Sequence, residues 1–309
     1  MVEFNGLVSV LIPCYNHEKY VIDCLESVKL QSNIKIELII CDDCSLDDSF
    51  EIIQKWVDNN SIYFSACYCY KNDYNLGITK TLNSLIRRSN GVYIKILASD
   101  DVLFDNCLYE LVMYLENNSD NIVFSNMIII DDIYSGQIIE KNKKYFFKKI
   151  PPYGKNIFDK LFNENTVAAP SVLFRYSTFE RYGLFDEQLL FEDWEYWLRI
   201  EKNGGSIGYI NKPLVGYRIH KKSASHFHQS EEDKKRQIKA YENNKYMLSK
   251  YKDYSKKGMD KFYNINLQSA MRSNNNELIE SILCEKFSLC FSSRVKMLFY
   301  TFKYKYLIK

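Results

Sequence analysis

Two pairs of adjacent aspartates stand where apolar runs end: Asp42–Asp43 in "ELIICDDCS" and Asp100–Asp101 in "YIKILASDDVLF". Neighbouring like charges repel, and beside a buried strand each carboxylate also loses solvation. A pair of acids is therefore more than a simple turn requires. Hard carboxylate oxygens gathered at one edge of a sheet suit Mg²⁺ or Mn²⁺, and such an ion is usually completed by substrate phosphates. The blander alternative stays open at this point, because Asp42 and Asp43 also suit a turn that caps the following helix. Asp100 and Asp101 exceed what one cap needs. Two common phosphate chemistries are excluded, since the chain has neither G-x-x-x-x-G-K-[ST] nor G-x-G-x-x-G.

Cys41 and Cys44 form a C-x-x-C in "CDDCS". No second pair and no histidine lies near them in sequence, which argues against zinc or redox chemistry. The chain has nine cysteines, an odd number, and most sit in apolar surroundings such as "SACYCYK". They read as reduced thiols of a cytosolic protein.

The elements that must position these acids alternate in type. "LVSVLIP" (7–13) is a short continuous apolar run, as expected of a strand buried on both faces. "YVIDCLESVKLQ" (20–31) follows with Val21, Leu25 and Val28 at helical spacing. "KIELIICDD" (35–43) reads as strand and "SLDDSFEIIQKWVDNN" as a capped helix with a face of Phe50, Ile53 and Val57. "IYFSACYCYK", "GITKTLNSLIRRSN" and "GVYIKILASDD" continue as strand, helix and strand. Three β-α units in series predict a parallel sheet with helices on its faces. Polar residues collect after the first, second and fourth strands, and that carboxyl edge is where ligands bind in open α/β sheets. A helix ("CLYELVMYLENN") and a strand ("NIVFSNMIII") extend the pattern, a Lys-rich insertion (131–156) reads as a surface loop, and the sequence from about residue 229 is helical and charged.

Charge is unevenly spread along the 309 residues. Residues 234–309 hold 17 Lys and Arg against 6 Asp and Glu, whereas residues 1–233 hold 24 against 33. An acidic body with a basic tail is not the footprint of a nucleic-acid binder. The stretch 286–309 carries six Lys and Arg and no acid, interleaved with Phe, Tyr, Leu and Met. That pattern fits a helix lying on an anionic membrane surface, or else a packing helix that covers the catalytic domain or forms a dimer. The start "MVEFNGLVSVLIP" lacks the features of a signal peptide, and no run reaches the ~18 apolar residues of a membrane span.

Taken in order, "VSVLIPCYNHEKYVIDCLESV", "ELIICDDCSLDDS", "NLGITKTLN", "NGVYIKILASDD", "PSVLFRYSTFERYGLFDE", "FEDWEYWLR" and "VGYRIHKKSAS" resemble the family 2 glycosyltransferases of the GT-A fold over about residues 7–225. The nearest type builds O-antigen, capsule and other bacterial surface polysaccharides. The resemblance implies a Rossmann-like, mostly parallel sheet. It implies a catalytic domain over 1–228, with a nucleotide-sugar half to about 105 and an acceptor half beyond, and a basic helical region over 229–309. It assigns Asp43 to the uracil ring, with Pro13, Tyr15 and Asn16 as the floor of the nucleotide pocket and Asn75 beside them in "NLGITKTLN". Asp100 would hold the ribose, Asp101 would ligate Mn²⁺ or Mg²⁺, and Arg218 and His220 would approach the diphosphate or the metal. Asp193 matches the family's base, with Glu192 beside it to raise its pKa. Ala98 departs from the commoner D-x-D-D form and leaves the acidic set one short.

The implied reaction moves one sugar, with inversion, from a UDP-sugar to a saccharide acceptor on a polyprenyl diphosphate at the cytoplasmic face of the membrane. Processive relatives carry Q-x-x-R-W and several spans, so a single addition per encounter is expected. Taken singly, Asp193 is an ordinary acid on a helical face with Trp194, Trp197 and Leu198, and His220 an ordinary surface residue. A nucleotidyltransferase is the second enzyme reading, but it would place a Gly-rich, Arg-containing loop where "PCYNHEK" stands. A receiver-like domain would be far shorter, and an inactive nucleotide-sugar binder would keep the same residues.

Overall fold

The apolar run Leu7–Cys14 forms β1, and every residue from Val8 onward is buried. It is followed by α1 (Val21–Lys29), β2 (Lys35–Asp42), α2 (Ser49–Asn60), β3 (Ala66–Lys71), α3 (Ile78–Arg88) and β4 (Tyr93–Ile96). A computed structural model describes residues 6–131, 144–189, 192–220, 230–251 and 256–288. The strands β1 and β2 are covered on both faces, which is why neither alternates polar with apolar residues. In α1 the buried Val21, Cys24, Leu25 and Val28 make one stripe toward the sheet. β1 pairs in parallel with β2 and β4, and β2 with β3, giving the order β3-β2-β1-β4; the sequence predicts their parallel pairing but not their order. All their carboxyl ends therefore open at one edge.

The second half continues the sheet with changed polarity. Its elements are β5 (Val102–Leu103), α4 (Cys107–Asn117), β6 (Ile122–Ile130), β7 (Lys144–Tyr145), α5 (Phe158–Asn163), β8 (Leu173–Arg175), α6 (Tyr176–Tyr182), α7 (Asp193–Lys202) and β9 (Ile207–Arg218). β8 lies antiparallel between β4 and β6, and β6 runs parallel to β9. The full order is β3-β2-β1-β4-β8-β6-β9-β5, with β7 pairing β6. The Lys-rich insertion is not wholly a loop, because Lys144 and Tyr145 pair with Ile129 and Ile128; residues 132–143 lie outside the described residues.

The two-residue strand β5 has the largest consequence for the site. It begins directly after Asp101 and pairs antiparallel with the end of β9, Val102 opposite Gly216 and Leu103 opposite Val215. The approach is close: a Cβ on Gly216 would meet Val102 Cγ2 at 2.7 Å. This register carries Arg218 and His220 back to the paired aspartates across more than a hundred residues of chain.

The chain divides into two compact units, Met1–Ser223 and Ala224–Lys309. Within the second, α8 (Glu231–Ser249), α9 (Lys256–Arg272) and α10 (Asn276–Ser288) are helical, and Ser230 Oγ caps α8 by accepting from Asp233 N. Buried Gln237, Ser273 and Asn275 satisfy one another, with Ser273 Oγ and Asn275 Nδ2 both donating to Gln237 Oε1. Residues 289–309, most of the basic stretch, lie outside the described residues. Among the described residues no helix is long and apolar enough to cross a membrane.

Candidate active site

The loops after β1 and β2 are knitted together. Asn16 adopts a left-handed conformation (φ 56°), which asparagine tolerates better than most residues. Its backbone N–H donates to Ser45 Oγ at 2.9 Å, and its Oδ1 accepts from Leu46 N at 2.8 Å. His17 N donates to Ser49 Oγ at 2.9 Å. Asp42 is fully buried and shapes this turn, its Oδ1 accepting from Ser45 N at 2.8 Å. Asp43 reaches the other way, to the loop before α3. Its carboxylate accepts from Asn72 Nδ2, Leu76 N and Gly77 N, each at 2.8 Å. Neither acid caps α2, although Asp42 does hold the turn that precedes it. Pro13 is buried beneath the loop and Tyr15 is 43% exposed at its rim. Asn75 is a turn residue, its Oδ1 accepting from Gly77 N at 3.1 Å.

Asp100 and Asp101 have separate environments. The Asp100 carboxylate lies 3.0 Å from His220 Nε2 and 3.9 Å from His17 Nδ1. Among the described residues, donor atoms of His17, Asp100 and His220 lie within 4.8 Å of one another, the geometry of a metal-binding group. The His17 and His220 rings meet edge to face at 5.5 Å, and Tyr20 stacks on His220 at 4.6 Å. Asp101 is instead buried, with Oδ1 accepting from Arg218 N at 2.8 Å and Oδ2 meeting no partner among the described residues.

Burial, reinforced by the charge on Asp100, pushes the Asp101 carboxyl well above the ordinary carboxylate range. For Asp100 burial acts in the same direction, but the hydrogen bond to His220 and the charges on His17 and His220 outweigh it, so its pKa is lowered. The two shifts run in opposite directions, which eases the repulsion implied by the sequence. Of the two, Asp100 stands with the nitrogen donors. The sequence reading gives the ribose to Asp100 and the metal to Asp101; in the structure the nitrogen donors gather at Asp100.

Arg218 lies beside the same loop. Its side chain is almost wholly buried and faces protein groups: Nε donates to Asp100 O at 2.8 Å, Nη1 to Asp131 O at 3.1 Å and Nη2 to Asp23 Oδ2 at 2.9 Å. These bonds tie it to the backbone of the aspartate loop.

Asp193 opens α7, where Oδ1 accepts from Trp194 N at 2.7 Å and Oδ2 from Asn165 Nδ2 at 3.0 Å. A polar stripe on the buried face of α3 ties this region to the nucleotide loops. Thr79 Oγ1 donates to Leu189 O at 3.0 Å and also interacts with the Glu192 carboxyl. Asn83 binds Phe185 through both its amide groups, Nδ2 to the carbonyl at 2.9 Å and Oδ1 from the N–H at 3.1 Å. The first turn of α3 thus has Asp43 on Gly77 at one side and the Glu192–Asp193 segment on Thr79 at the other. Thr79, Asn83, His17 and Asn165 were not singled out from sequence. Polar residues at core-facing positions of α3 were the available signal for the first two, and the histidine in "PCYNHEK" for the third.

Burial and the charge on Asp193 push the Glu192 carboxyl up to about 8; burial also raises Asp193, against hydrogen bonds from Asn165 and Trp194. Asp193 therefore ionises first and Glu192 keeps its proton at neutral pH. Activity that needs the Asp193 carboxylate should rise with pH through a limb above the ordinary carboxylate range, with a second inflection near 8 from Glu192. In Glu192→Gln the inflection near 8 should vanish while the acidic limb stays, as a pH–kcat/KM profile would measure. Stability has the opposite sign. The native chain holds a proton that the unfolded chain releases near 4.5, so this contribution is full below that pH and is lost as pH rises toward 8.

Cys41 is buried, Cys44 is partly exposed, and the described cysteines are free thiols. The helix-flanked sheet, with β1, β2, β3 and β4 opening their carboxyl ends at one edge, has the GT-A fold. Residues 9–183 match the family model for glycosyl transferase family 2. An uncharacterized glycosyltransferase of Rickettsia prowazekii is 29% identical over 221 residues, 70% of this chain and 65% of that protein. The chain thus spans somewhat under two thirds of that relative. The UDP-Glc:alpha-D-GlcNAc-diphosphoundecaprenol beta-1,3-glucosyltransferase WfaP of Escherichia coli is 27% identical over 219 residues, 71% of this chain and 80% of that protein. Among solved structures, the mannosyltransferase PcManGT from Pyrobaculum calidifontis, in complex with GDP-Man and Mn²⁺, superposes with a TM-score of 0.61. That match has 14% identity over 92% of this chain and 76% of that one, a likeness of fold. The chain belongs to glycosyl transferase family 2.

Proposed function

We propose that the protein transfers one sugar, with inversion, from a UDP-sugar to a hydroxyl of a saccharide acceptor, assisted by a divalent cation. The observation that carries this reading is the convergence of His17, Asp100 and His220 within 4.8 Å at the edge where the nucleotide loops are knitted. Two imidazole nitrogens and a carboxylate held anionic fit a first-row divalent ion, and this mixed set favours Mn²⁺ over Mg²⁺, which prefers oxygen. His17 and His220 would then supply donors where Ala98 leaves the acidic set short. When bound, the ion supplies charge neutralisation for the departing diphosphate.

The protein's own groups divide the remaining work. Asp43, with Pro13, Tyr15, Asn16 and Asn75 shaping the surrounding loops, receives the nucleoside. Asp101 and Arg218 hold the aspartate loop in place. The Asp193 carboxylate takes the acceptor hydroxyl proton while the oxygen bonds to the anomeric carbon and the bond to the diphosphate breaks, releasing UDP. Holding these groups in line supplies much of the acceleration. Glu192, protonated beside it, keeps the local charge at one. The catalytic domain is read as 1–228, with the nucleotide half ending near 105.

Similarity to WfaP, whose name specifies UDP-Glc and a diphosphoundecaprenol acceptor, supports a UDP-sugar and a lipid-linked acceptor of a surface polysaccharide. The basic stretch 286–309 is read as a membrane attachment at the cytoplasmic face, with a dimer contact as its alternative role. A panel of nucleotide sugars incubated with Mn²⁺, Mg²⁺ or EDTA tests the proposal. Transfer or slow hydrolysis of a UDP-sugar, lost in EDTA and restored by Mn²⁺, is expected. Metal-dependent UDP binding with no turnover of any donor or acceptor would leave a nucleotide-sugar binder instead.

A further inference from the structure

We infer that residues 144–155 form a membrane-contacting surface on the catalytic unit, separate from the basic tail, and that its partner is an anionic lipid surface. The segment exposes Tyr145 at 43%, Phe146 at 43%, Ile150 at 61% and Tyr153 at 51%. Between these lie exposed Lys144, Lys148, Lys149 and Lys155, and residues 144–158 contain no Asp or Glu. Large apolar side chains interleaved with lysines are the composition that suits a lipid headgroup boundary, where rings and aliphatic tips enter the acyl edge and ammonium groups meet phosphates. A soluble polyanion would need the charges without the apolar tips.

The backbone holds this surface in place rather than leaving it as a loose loop. Lys144 and Tyr145 pair with β6, and Phe146 N donates to Met127 O at 2.9 Å. Asn126 brackets Phe147, donating to its carbonyl and accepting from its N–H, both at 3.0 Å. At the far end Gly154 bridges Ile207, and the Tyr153 ring packs on Tyr209 at 5.9 Å. The pairing partners Ile128 and Ile129 stand two or three residues before Asp131, whose carbonyl binds Arg218 and so adjoins the aspartate loop. At roughly 3.4 Å per residue, the surface leaves the sheet within about 10 Å of that loop along the strand. Delivery of a lipid-linked acceptor to this edge would follow, and that consequence alone rests on the proposed function; the lipid contact does not.

Flotation of the full chain, tail included, with vesicles of phosphatidylglycerol and phosphatidylcholine against phosphatidylcholine alone tests the inference. The wild type should float with the anionic vesicles and be released by high salt. Lys148→Glu/Lys149→Glu should lower the partition coefficient on the order of 10²-fold or more. Tyr145→Ser/Ile150→Ser should lower it as well, with an unchanged melting temperature and unchanged UDP binding showing that both variants fold. Lys148→Gln/Lys149→Gln, a milder change, should fall between wild type and the reversal. Failure of the wild type to float, or flotation unaffected by the charge reversal, would overturn the proposal. Release by the reversal with full binding retained in Tyr145→Ser/Ile150→Ser would overturn it too, leaving a surface for soluble polyanions.

Discussion

Asp193→Asn is expected to lower kcat by about 10²–10⁴-fold, the usual worth of a positioned general base. The substitution is nearly isosteric. Asn Oδ1 can still accept from Trp194 N, and only the contact from Asn165 Nδ2 needs an amide flip to be kept or lost. The site should therefore keep its shape and its affinity for UDP while losing the group that takes the acceptor proton. Calorimetric UDP binding alongside steady-state transfer separates these effects, and KM for the donor should move little. A variant with unchanged turnover would remove Asp193 from the chemistry. Asn165→Ala, which leaves the carboxylate in place but frees one oxygen, should cost far less and should move the acidic limb of the pH profile upward, because a bond favouring the charged form is gone.

Exchanging the adjacent aspartates one at a time should give unequal results. Asp100→Asn removes the charge that stands between His17 and His220, and Mn²⁺-dependent UDP affinity should fall by at least on the order of 10²-fold. Asp101→Asn should be tolerated. Burial favours the neutral form of the native carboxyl, which an amide resembles, and the amide oxygen can still accept from Arg218 N. Titration of UDP into each variant with and without Mn²⁺ gives the comparison. Equal losses in the two variants, or a larger loss in Asp101→Asn, would return the metal to Asp101 as the sequence pattern had it. His220→Ala should resemble Asp100→Asn, since it removes both a nitrogen donor and the hydrogen bond that lowers the Asp100 pKa.

Local pattern made much of this protein legible. The apolar run 7–13 and the mostly apolar stretch 35–43 read as buried strands, and the helical stripes between them called for right-handed crossovers, so the parallel pairing of β1 to β4 followed, though not its order. The edge that carries chemistry followed as well, because acids that end buried strands must emerge at the carboxyl side. Composition and motif order pointed to Asp43 at that edge, and motif order alone pointed to Asp193.

What stayed hidden depended on partners distant in sequence. The antiparallel entry of β8 between β4 and β6 rests on three residues, Leu173–Arg175, too few to show a period. β5 is shorter still, yet its register against Gly216 and Val215 decides which side chains of "YRIH" reach the aspartates. Whether Asp100 or Asp101 faces a cation, whether Arg218 faces solvent or backbone, and whether His17 belongs to the site are questions of side-chain direction set by that register. Residue types and their order along the chain therefore determined the class of chemistry and the sheet edge that hosts it. Tertiary pairing decided in which direction each carboxyl's pKa moves, because a pKa is set by burial and by neighbours that the chain brings from far away.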